Sequence, residues 1–414
     1  MTSIQTSESG GLRRALSGLS VVDFGWNITA PISAKWLADF GATVVKVESS
    51  KRTDPVRTMV PYCKGISGIN RSILFHPWNA GKYSIALDLR HPKGIDIAKR
   101  LIKWADIVVE NFMPGTMEKL GLGYEELRKV NPGIIMVGAS LQGQKGPHAQ
   151  VGALGIAMQA LTGFIYPLGW PGEPPIPIPF ASTDFMTPVY IIPAVLATLD
   201  DRRRTGKGTY IDISQFEAGV SFIAPELLNY LANGQPQTRM GNHSPYASPH
   251  NAYRCKGDDR WCVIAVFSEE EWKSFCGVVG NPPWTKETRF SSLLKRKENE
   301  EELDKLVGEW TINHSPEEIM EMMQSAGVAA GIVESGKDLH EDPQLKYRHH
   351  FWTLPHSDVG EFTYDGPPFN LPETPAEVRM SCPCLGEHTE FVCREILHMS
   401  NEEFSDMYQA GVLS

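Results

Sequence analysis

The sequence predicts an α/β protein, with a large domain built on a Rossmann-like parallel sheet and a small α+β domain after it. Three observations lead to this prediction. Short runs rich in Val and Ile alternate with helical segments in the first half of the chain. The 414 residues, of which 42% are hydrophobic, are enough for a substantial core and two domains. From Arg239 to about Gly331, the pattern changes to a hairpin followed by capped helices.

In chain order, the first half is expected to form the sheet. Strands are predicted at residues 20–24, 43–48, 83–89, 107–110 and 134–138, and helices at 30–40 and 92–105. Ligands bind parallel sheets at the carboxyl ends of the strands, which places residues 25–29, Arg90 and residues 111–112 at one rim. The turn after the first strand is not G-x-G-x-x-G, and no G-x-x-x-x-G-K-[ST] loop is present. Dinucleotide binding by that motif and nucleotide hydrolysis are therefore not expected.

The second half reads as helices around one hairpin. An apolar helix is predicted from Asp184 to about Leu199, with Pro193 at a kink. Other elements are a helical stretch at 214–233, a hairpin at 253–255 and 261–267, capping boxes at Ser268/Glu271 and Ser315/Glu318, and a last helix opened by residues 385–389. The predicted domains are 1–213 (large domain), 214–240 (helical linker), 241–335 (small domain) and 336–414 (linker and return to the large domain).

Composition excludes several classes of partner. A net charge of −10 argues against nucleic acid and anionic membranes, so an anionic ligand needs a local basic pocket. No apolar run approaches the roughly 20 residues that span a bilayer. Residues 1–10 form a polar tail without the layout of a signal peptide. Seven scattered cysteines indicate reduced thiols in a cytoplasmic protein, with no metal site.

Asp184 stands in front of an apolar helix that ends in the basic segment 202–208. An acid at this position is commonly an N-cap, which accepts hydrogen bonds from free backbone N–H groups. The same helix end can also hold a carboxylate ionised as a nucleophile, or stabilise negative charge on a substrate beside it. Position alone leaves both roles open.

Motifs in a fixed order cover nearly the whole chain. They lie at residues 22–24, 41–48, 87–89, 105–115, 204–208, 241–242 and 385–389. In order and spacing they resemble the family III CoA-transferases, the group that includes formyl-CoA transferase and carnitine CoA-transferase. In that family the nucleophilic aspartate opens the helix that ends at a T-G-[RK]-G turn, so the resemblance implies that Asp184 is the nucleophile. It also implies interlocked dimers in which long helical linkers join the domains.

The resemblance implies a covalent mechanism in which a CoA thioester is the substrate and no tightly bound cofactor is needed. Asp184 would attack an acyl-CoA to give an acyl-aspartyl anhydride and CoA thiolate, a good leaving group because thiol pKa values lie near ~8.5. The thiolate would then form an aspartyl-CoA thioester and release the first acid, and an acceptor acid would reverse these steps. Water must be excluded. The loop around Gly241 is either a lid or an ordinary connector between domains.

The implied CoA contacts and substrate pocket are named residue by residue. The CoA contacts are Ile28, Thr29, Leu87, Asp88, Arg90, Asn111, Phe112, Met113 and Lys119, and the substrate pocket is Trp26, Asn27, Gly241 and Asn242. Arg90 and Lys119 could meet phosphates or be solvated surface cations. Phe112 could pack on adenine or in the core. Ser49 departs from the family, because formyl-CoA transferase has a basic residue there, and Trp26 replaces a smaller or polar residue.

The sequence also bears on two other functions, a racemase and a subunit of a heteromeric transferase. The α-methylacyl-CoA racemases share the fold but need a histidine followed by an acid before the Thr-Gly step. Residues 152–156 precede Thr162 and Gly163 here and carry no side chain that accepts a proton, so a racemase is disfavoured. Many transferases carry a tyrosine in that loop, and its loss leaves one contact open. The chain could also be one subunit of a heteromeric transferase, although Asp184 argues that it is catalytic.

The only indication of which carboxylic acids exchange CoA comes from aromatic residues that could form the substrate pocket. These residues are Trp26, Trp78, Trp170, Phe180, Phe185 and Tyr246. They could line a roomy pocket or pack in the core. We expect an acyl-CoA donor such as succinyl-CoA and a larger acid as acceptor, for example an aromatic acid such as benzylsuccinate. The partners expected are thus acyl-CoA, small carboxylic acids and a second chain, either identical or homologous.

Overall fold

The computed structural model describes residues 14–152 and 155–414. These residues form two compact units. The first contains residues 14–152, 155–164, 177–233 and 344–414, and the second contains residues 165–176 and 234–343. The domain boundaries drawn from the sequence stay a prediction. The polar tail at residues 1–10 lies outside the described residues.

A parallel sheet organises the first unit. Its strands are β1 (Ser20–Asp23), β2 (Thr43–Glu48), β3 (Lys82–Ala86), β4 (Ile107–Glu110), β5 (Ile135–Ser140) and β6 (Tyr210–Ser214). Every neighbouring pair is parallel, in the order β3-β2-β1-β4-β5-β6. The order reverses between β1 and β4, and ligands of such sheets bind at this crevice. The predicted Rossmann-like α/β fold is confirmed.

Helices alternate with these strands and follow them along the chain. They are α1 (Thr29–Asp39), α2 (Phe75–Asn79), α3 (Pro92–Trp104), α4 (Thr116–Lys119), α5 (Tyr124–Val130), α6 (Gly155–Leu161), α7 (Ser182–Met186), α8 (Pro188–Thr205), α9 (Gln215–Phe222) and α10 (Ala224–Asn233). Successive strand residues point to opposite faces. Val22 therefore packs with Leu101 of α3, whereas Val21 packs with Leu37 of α1 and Ile191 of α8.

The structure corrects two predicted helices. The segment after Asp184 is two helices, because α7 ends at Met186 and α8 begins at Pro188 and continues to Thr205. Residues 214–233 are not one helix: Ser214 ends β6, and α9 and α10 follow. Strand β6 was missed because it lies at the edge of the sheet, where its residues are mostly half-buried and lack a continuous apolar run.

The apolar stretch Ser182–Thr205 is long and apolar enough to cross a bilayer by length and composition, with a mean hydropathy of 1.2. The sequence-based statement that no apolar run approaches this length is therefore wrong. A core helix of a soluble protein has the same pattern, and 39% of this stretch is buried. Ile191, Val195 and Leu199 lie in the core beneath the sheet, which favours the core helix.

The second unit has its own antiparallel sheet and core. The strands are β7 (His250–Arg254), β8 (Trp261–Ala265) and β9 (Ala329–Ile332), in that order. The helices are α11 (Glu269–Val278), α12 (Leu293–Glu298), α13 (Glu300–Thr311), α14 (Pro316–Ser325) and α15 (Gly336–Glu341). The predicted capping boxes at Ser268 and Ser315 are confirmed, and Ser335 with Asp338 forms a third one. Ile264, Phe275 and Leu303 are fully or almost fully buried at its centre.

The C-terminal segment packs in the first unit. Its elements are α16 (Pro343–Tyr347), the antiparallel hairpin β10 (Phe351–His356) and β11 (Gly360–Asp365), α17 (Thr389–Phe391), a π-helical turn (Val392–Ile396) and α18 (Asn401–Gln409). The helix predicted from 385–389 starts only at Thr389. The backbone N–H of Asp88 donates to the Val412 carbonyl at 2.9 Å, so the end of the chain lies against the carboxyl end of β3.

Candidate active site

The turn after β1 is held by its own backbone and by buried charges. Gly25 has no room for a side chain, since a Cβ there would lie 2.4 Å from the Cβ of Ala30. Lys46 Nζ donates to the Gly25 carbonyl at 2.7 Å. Asn27 adopts a left-handed conformation with φ 59°, and its N–H donates to Asp54 Oδ1 at 3.1 Å. These contacts fix Thr29 at the start of α1.

Six buried charges lie behind this turn. They pair as Lys82 with Asp23 at 2.8 Å, Lys46 with Asp54 at 3.5 Å and Arg57 with Glu48 at 2.7 Å. All six side chains are fully buried, and three cations balance three carboxylates. Burial alone would raise the pKa of Asp23, but Lys82 and Lys46 bring it below its usual value. The network is neutral as a whole, and removal of one member would leave an uncompensated charge.

Asp184 lies in the first turn of α7 and is 9% exposed. The Thr29 hydroxyl donates to Asp184 Oδ1 at 2.8 Å. Gln215 Nε2 donates to the same oxygen at 3.3 Å and to Thr29 Oγ1 at 2.9 Å. The N-cap position of α7 is Ala181, and no side chain caps this helix. Asp184 is therefore not an N-cap, which removes the first of its two possible roles.

The second carboxylate oxygen of Asp184 is left open. Within residues 14–152 and 155–414, no hydrogen bond reaches Oδ2. A Cβ at Gly155 would lie 3.2 Å from Oδ2 and only 2.1 Å from the Cβ of Ala181, so only glycine leaves this approach clear. Burial raises the pKa of Asp184, and the hydrogen bonds from Thr29 and Gln215 act in the opposite direction.

An inner cavity of about 510 Å³ opens on Asp184. Its polar lining includes Gln215 and Ser140, and its apolar lining includes Met59, Leu74, Trp78, Val151 and Phe180. Ser140 Oγ and Gln215 Oε1 are buried and have no hydrogen-bond partner among the described residues, although both residues line the cavity. Two free polar atoms beside a buried carboxylate are typical of a site that binds a ligand with polar groups.

A second cavity, the rim cavity, has a volume of about 450 Å³ at the carboxyl ends of β1 to β4. Six predicted CoA contacts line it: Leu87, Asp88, Arg90, Asn111, Phe112 and Met113. The two cavities share Asn27, Asn111, Phe112 and Met113, so they adjoin each other. Ile28 lines the inner cavity, while Thr29 is fully buried behind Asp184.

The rim cavity is locally basic although the protein is acidic. Arg52 lines it and lies 5.0 Å from the ring centre of Trp26. Lys51 and Arg90 both contact Asp88, at 2.9 and 3.3 Å. The hydrogen bond from Lys51 lowers the pKa of Asp88 to about 2. Glu48, which also lines this cavity, is paired with the buried Arg57. The rim thus carries Lys51, Arg52 and Arg90 against the single further carboxylate of Asp88, and this surplus fits an anionic ligand.

Some predicted contacts also have structural roles. The Asn111 side chain accepts from the Trp26 N–H at 2.8 Å and donates to the Trp26 carbonyl at 2.7 Å, which fixes the turn after β1. Phe112 packs edge to face on Trp26 with ring centres 5.5 Å apart. Ser49 donates to the Ser414 carbonyl at 2.9 Å. Lys119 is exposed and lines neither cavity, so the structure does not bring it to the site.

The remaining predicted residues divide between the two units. Gly241 and Asn242 lie in the second unit, where Gly241 adopts φ 60° and packs closely against Trp170. Asn242 donates to Asn251 at 3.0 Å. In the first unit, Phe185 contacts Trp78 with ring centres 5.9 Å apart, next to the inner cavity. Of the aromatic residues named from the sequence, the first unit contains Trp26, Trp78, Phe180 and Phe185, and the second contains Trp170 and Tyr246.

Sequence reasoning missed Arg52, Lys51, Ser140 and Gln215. Ser140 is the last residue of β5, and Gln215 directly follows β6. The rule that ligands bind at the carboxyl ends of parallel strands indicates both positions, and for Gln215 it applies only once β6 is recognised.

All seven cysteines are free thiols, and five of them are buried. Among the described residues, no group of three or more His, Cys, Asp or Glu side chains is placed to hold a metal ion. Ala153 and Leu154, in the loop weighed for a racemase, lie outside the described residues.

Known proteins match the chain over almost its full length. Residues 16–389 match CoA-transferase family III. A succinyl-CoA–D-citramalate CoA-transferase from Chloroflexus aurantiacus is 32% identical over 96% of this chain and 97% of its own. The beta subunit of a succinyl-CoA–L-malate CoA-transferase from the same organism is 31% identical, over 96% and 98%. A CAIB/BAIF family protein from Brucella suis has a solved structure that matches with a TM-score of 0.85 at 30% identity, over 93% of this chain and 100% of that one. The chain belongs to the family III CoA-transferases.

Proposed function

We propose that this CoA-transferase works through covalent intermediates on Asp184. One observation supports this most directly: Asp184 has one carboxylate oxygen held by two donors and the other open to a cavity that adjoins the basic rim. A nucleophile needs an accessible lone pair and a fixed orientation, and this geometry supplies both.

The chemistry proceeds through two anhydrides and one thioester. Asp184 Oδ2 attacks the carbonyl carbon of the acyl-CoA, and the C–S bond breaks to release CoA thiolate. The thiolate then attacks Cγ of Asp184, and the bond from Cγ to Oδ2 breaks, so the first acid leaves with that oxygen. The acceptor carboxylate attacks Cγ of the aspartyl-CoA thioester and expels the thiolate again. Finally, the thiolate attacks the acceptor's carbonyl carbon, which forms the new acyl-CoA and restores Asp184.

The rim cavity is proposed to hold the CoA phosphates, and the inner cavity the acyl group. Arg52, Arg90 and Lys51 provide charge-assisted donors at the outer end. The thioester would pass Asn111 and Met113, which line both cavities. The cavity volumes lie within the range of small-molecule sites.

The acceptor is proposed to be an acid with an apolar or aromatic body, such as benzylsuccinate, with succinyl-CoA as donor. The apolar side chains of Met59, Leu74, Trp78 and Phe180 line the inner cavity, and no Lys or Arg is among its described lining residues. The named relatives act on citramalate and malate, which are smaller and more polar. A panel of acids tests the proposal: a higher kcat/KM for benzylsuccinate than for malate supports it, and the reverse order contradicts it.

A second chain is the proposed partner. Helix α10 has no buried residues, and Leu227, Leu228, Tyr230 and Leu231 on it are exposed. Exposed apolar patches of this kind mark interaction surfaces. The malate CoA-transferase relative from C. aurantiacus is a beta subunit, so the second chain is either identical or homologous. Expression of this chain alone separates the two cases. An active dimer would indicate a homodimer, and an inactive protein would indicate that a homologous subunit is needed.

The nucleophile is tested by trapping. Hydroxylamine added during turnover should leave a hydroxamate on Asp184, detected by mass spectrometry of the peptide. An acceptor acid labelled with ¹⁸O in both carboxyl oxygens should also transfer ¹⁸O to Asp184. Asp184→Asn should abolish CoA transfer, whereas Asp200→Asn, at an exposed aspartate of α8, should not. Undiminished transfer by Asp184→Asn would show that the nucleophile is another group.

A further inference from the structure

The side chains of Thr29 and Gln215 both donate to the same oxygen of Asp184, and that oxygen is not the one open to the cavity. We propose that Thr29 and Gln215 form an oxyanion hole for Asp184 itself. They would stabilise the negative charge that develops on Oδ1 whenever Cγ of Asp184 is attacked. This inference rests on the proposed function, in which Asp184 is first a nucleophile and then an electrophile.

The orientation of the Gln215 amide follows from chemistry. Its nitrogen lies 3.3 Å from Asp184 Oδ1 and 2.9 Å from Thr29 Oγ1. The flipped amide would place its oxygen against the carboxylate, where two acceptors repel each other. The Thr29 hydroxyl has a single proton, which it donates to Oδ1 at 2.8 Å while it accepts from Gln215. Donors linked in this way polarise one another.

Both donors are fixed before any substrate binds. Gln215 is 2% exposed and is the first residue of α9, immediately after β6. The Phe216 N–H donates to the Leu141 carbonyl at 2.9 Å, and this bond ties the start of α9 to the end of β5. A Cβ at Gly219 would lie 2.5 Å from Thr162 Cγ2, so α9 packs closely against its neighbours. Thr29 is fully buried at the start of α1. Preorganised donors of this kind need no rearrangement during the reaction.

Two of the four chemical steps place charge on Oδ1. When the thiolate attacks the acyl-aspartyl anhydride at Cγ, the C=O electron pair moves onto Oδ1, and it returns as the bond to Oδ2 breaks. When the acceptor carboxylate attacks Cγ of the aspartyl-CoA thioester, negative charge again develops on Oδ1, and it returns as the thiolate leaves. The other two steps place the charge on the carbonyl oxygen of the donor or acceptor acid. Thr29 and Gln215 should therefore accelerate only the two steps at Cγ.

Two isotope exchanges separate these steps in the intact enzyme. Exchange of labelled free CoA into acyl-CoA needs only the first anhydride, which forms by attack on the donor's carbonyl carbon. Exchange of the labelled free acid into its own acyl-CoA also needs attack at Cγ. Gln215→Leu removes both N–H donors and should slow acid exchange by about 10²–10³-fold. CoA exchange should stay within a few-fold of wild type.

Thr29 gives a second pair of variants. Thr29→Val keeps the shape and removes the hydroxyl, so it should slow acid exchange in the same way, while Thr29→Ser should restore it. Gln344→Leu, at an exposed glutamine of α16, is the matched control for Gln215→Leu and should change neither exchange. Hydroxylamine trapping also distinguishes attack at the donor's carbonyl carbon from attack at Cγ of Asp184. Gln215→Leu should still yield the hydroxamate of the donor acid but lose the hydroxamate on Asp184.

The outcomes are distinct. Parallel loss of both exchanges in Gln215→Leu, with a folded protein by circular dichroism, would mean that the residue only positions Asp184, and the proposal would fail. Unchanged acid exchange in both Gln215→Leu and Thr29→Val would also overturn it. Failure of the proposed function looks different, because both exchanges would then persist in Asp184→Asn.

Discussion

The two oxygens of the Asp184 carboxylate have different surroundings, and the proposed covalent mechanism uses this difference. Oδ1 is held by Thr29 and Gln215, and Oδ2 faces Gly155 and the inner cavity. The carboxylate is nucleophilic only when ionised, yet burial raises its pKa. Burial thus acts against the ionised form that the proposed mechanism requires, as expected where function and stability conflict.

Replacement of Asp184 by Asn should stabilise the fold. The folded pKa of Asp184 is higher than the unfolded one, so its contribution to stability is complete below the unfolded pKa and is lost as pH rises through the folded pKa. Asn cannot ionise, and its amide oxygen can accept the same two hydrogen bonds. We expect Asp184→Asn to unfold at a higher denaturant concentration than wild type at neutral pH.

The gain should shrink towards about pH 4, near the unfolded pKa of Asp. Denaturant titrations at both pH values measure it, and Asp200→Asn serves as the exposed control. An equal or lower stability of Asp184→Asn at neutral pH would contradict a raised pKa at this site.

Sequence reasoning reached Asp184 but not its partners, for a physical reason. Asp184 precedes a long apolar helix and a basic turn, and both features are local in sequence. Thr29 and Gln215 are 155 and 31 residues away from it along the chain. Their contact depends on β1 and β6 ending at the same edge of the sheet. No local pattern reports such a contact, especially where β6 itself was not predicted.

At the scale of elements, the turn between β1 and α1 depends on the buried ionic network. Lys46→Met would leave the Gly25 carbonyl without its donor and the Asp54 carboxylate without a cation, while Asp23 would keep its pair with Lys82. Breaking a buried pair in this way costs about 3–5 kcal/mol of unfolding free energy. Chemical denaturation measures this loss. Lys129→Met breaks an exposed pair with Glu126 and should change stability by less than about 1 kcal/mol.

The contact between α6 and α7 depends on the absence of a side chain at residue 155. In Gly155→Ala, the new Cβ would overlap Ala181, 2.1 Å away, and narrow the approach to Asp184 Oδ2. We expect a loss of stability of about 1–3 kcal/mol, as in other overpacked sites, and a lower kcat/KM. The double variant Gly155→Ala/Ala181→Gly should recover part of the stability. If the double variant is no more stable than Gly155→Ala alone, the overlap with Ala181 is not the cause.

The strands predicted best are those buried on both faces. Strands β1, β2, β4 and β5 are almost wholly buried and rich in Val or Ile, so their apolar runs show in the sequence. The helix after Asp184 continues past Leu199 to Thr205, inside the basic segment 202–208 in which the sequence also placed its end, and Gly206 follows as a C-cap in a left-handed conformation. The break at Thr187 between α7 and α8 follows from Pro188, which has no backbone N–H to donate to the preceding turn.

At the scale of the whole molecule, an acidic protein carries a locally basic rim, where the proposed function places the phosphates of CoA. Arg52→Ala should raise the KM for acyl-CoA roughly tenfold or more, since a hydrogen bond to a charged group contributes about 1.5–3 kcal/mol. The kcat should change little, because Arg52 lies in the rim cavity and not beside Asp184. Steady-state kinetics at low and high salt measure both values. Arg289→Ala, at a surface arginine of the second unit, is the control and should leave the KM unchanged. An unchanged KM in Arg52→Ala would show that Arg52 does not contact CoA.

Residues 411–414 contact three residues at this rim. Lys51 Nζ donates to the Gly411 carbonyl at 3.2 Å, Asp88 N–H to Val412 at 2.9 Å, and Ser49 Oγ to Ser414 at 2.9 Å. Removal of residues 411–414 would therefore release these three contacts together. Under the placement of CoA proposed above, affinity for the thioester would weaken while Thr29 and Gln215 kept their contacts with Asp184. A preparation in which some molecules lacked these four residues would then contain two populations with different affinities.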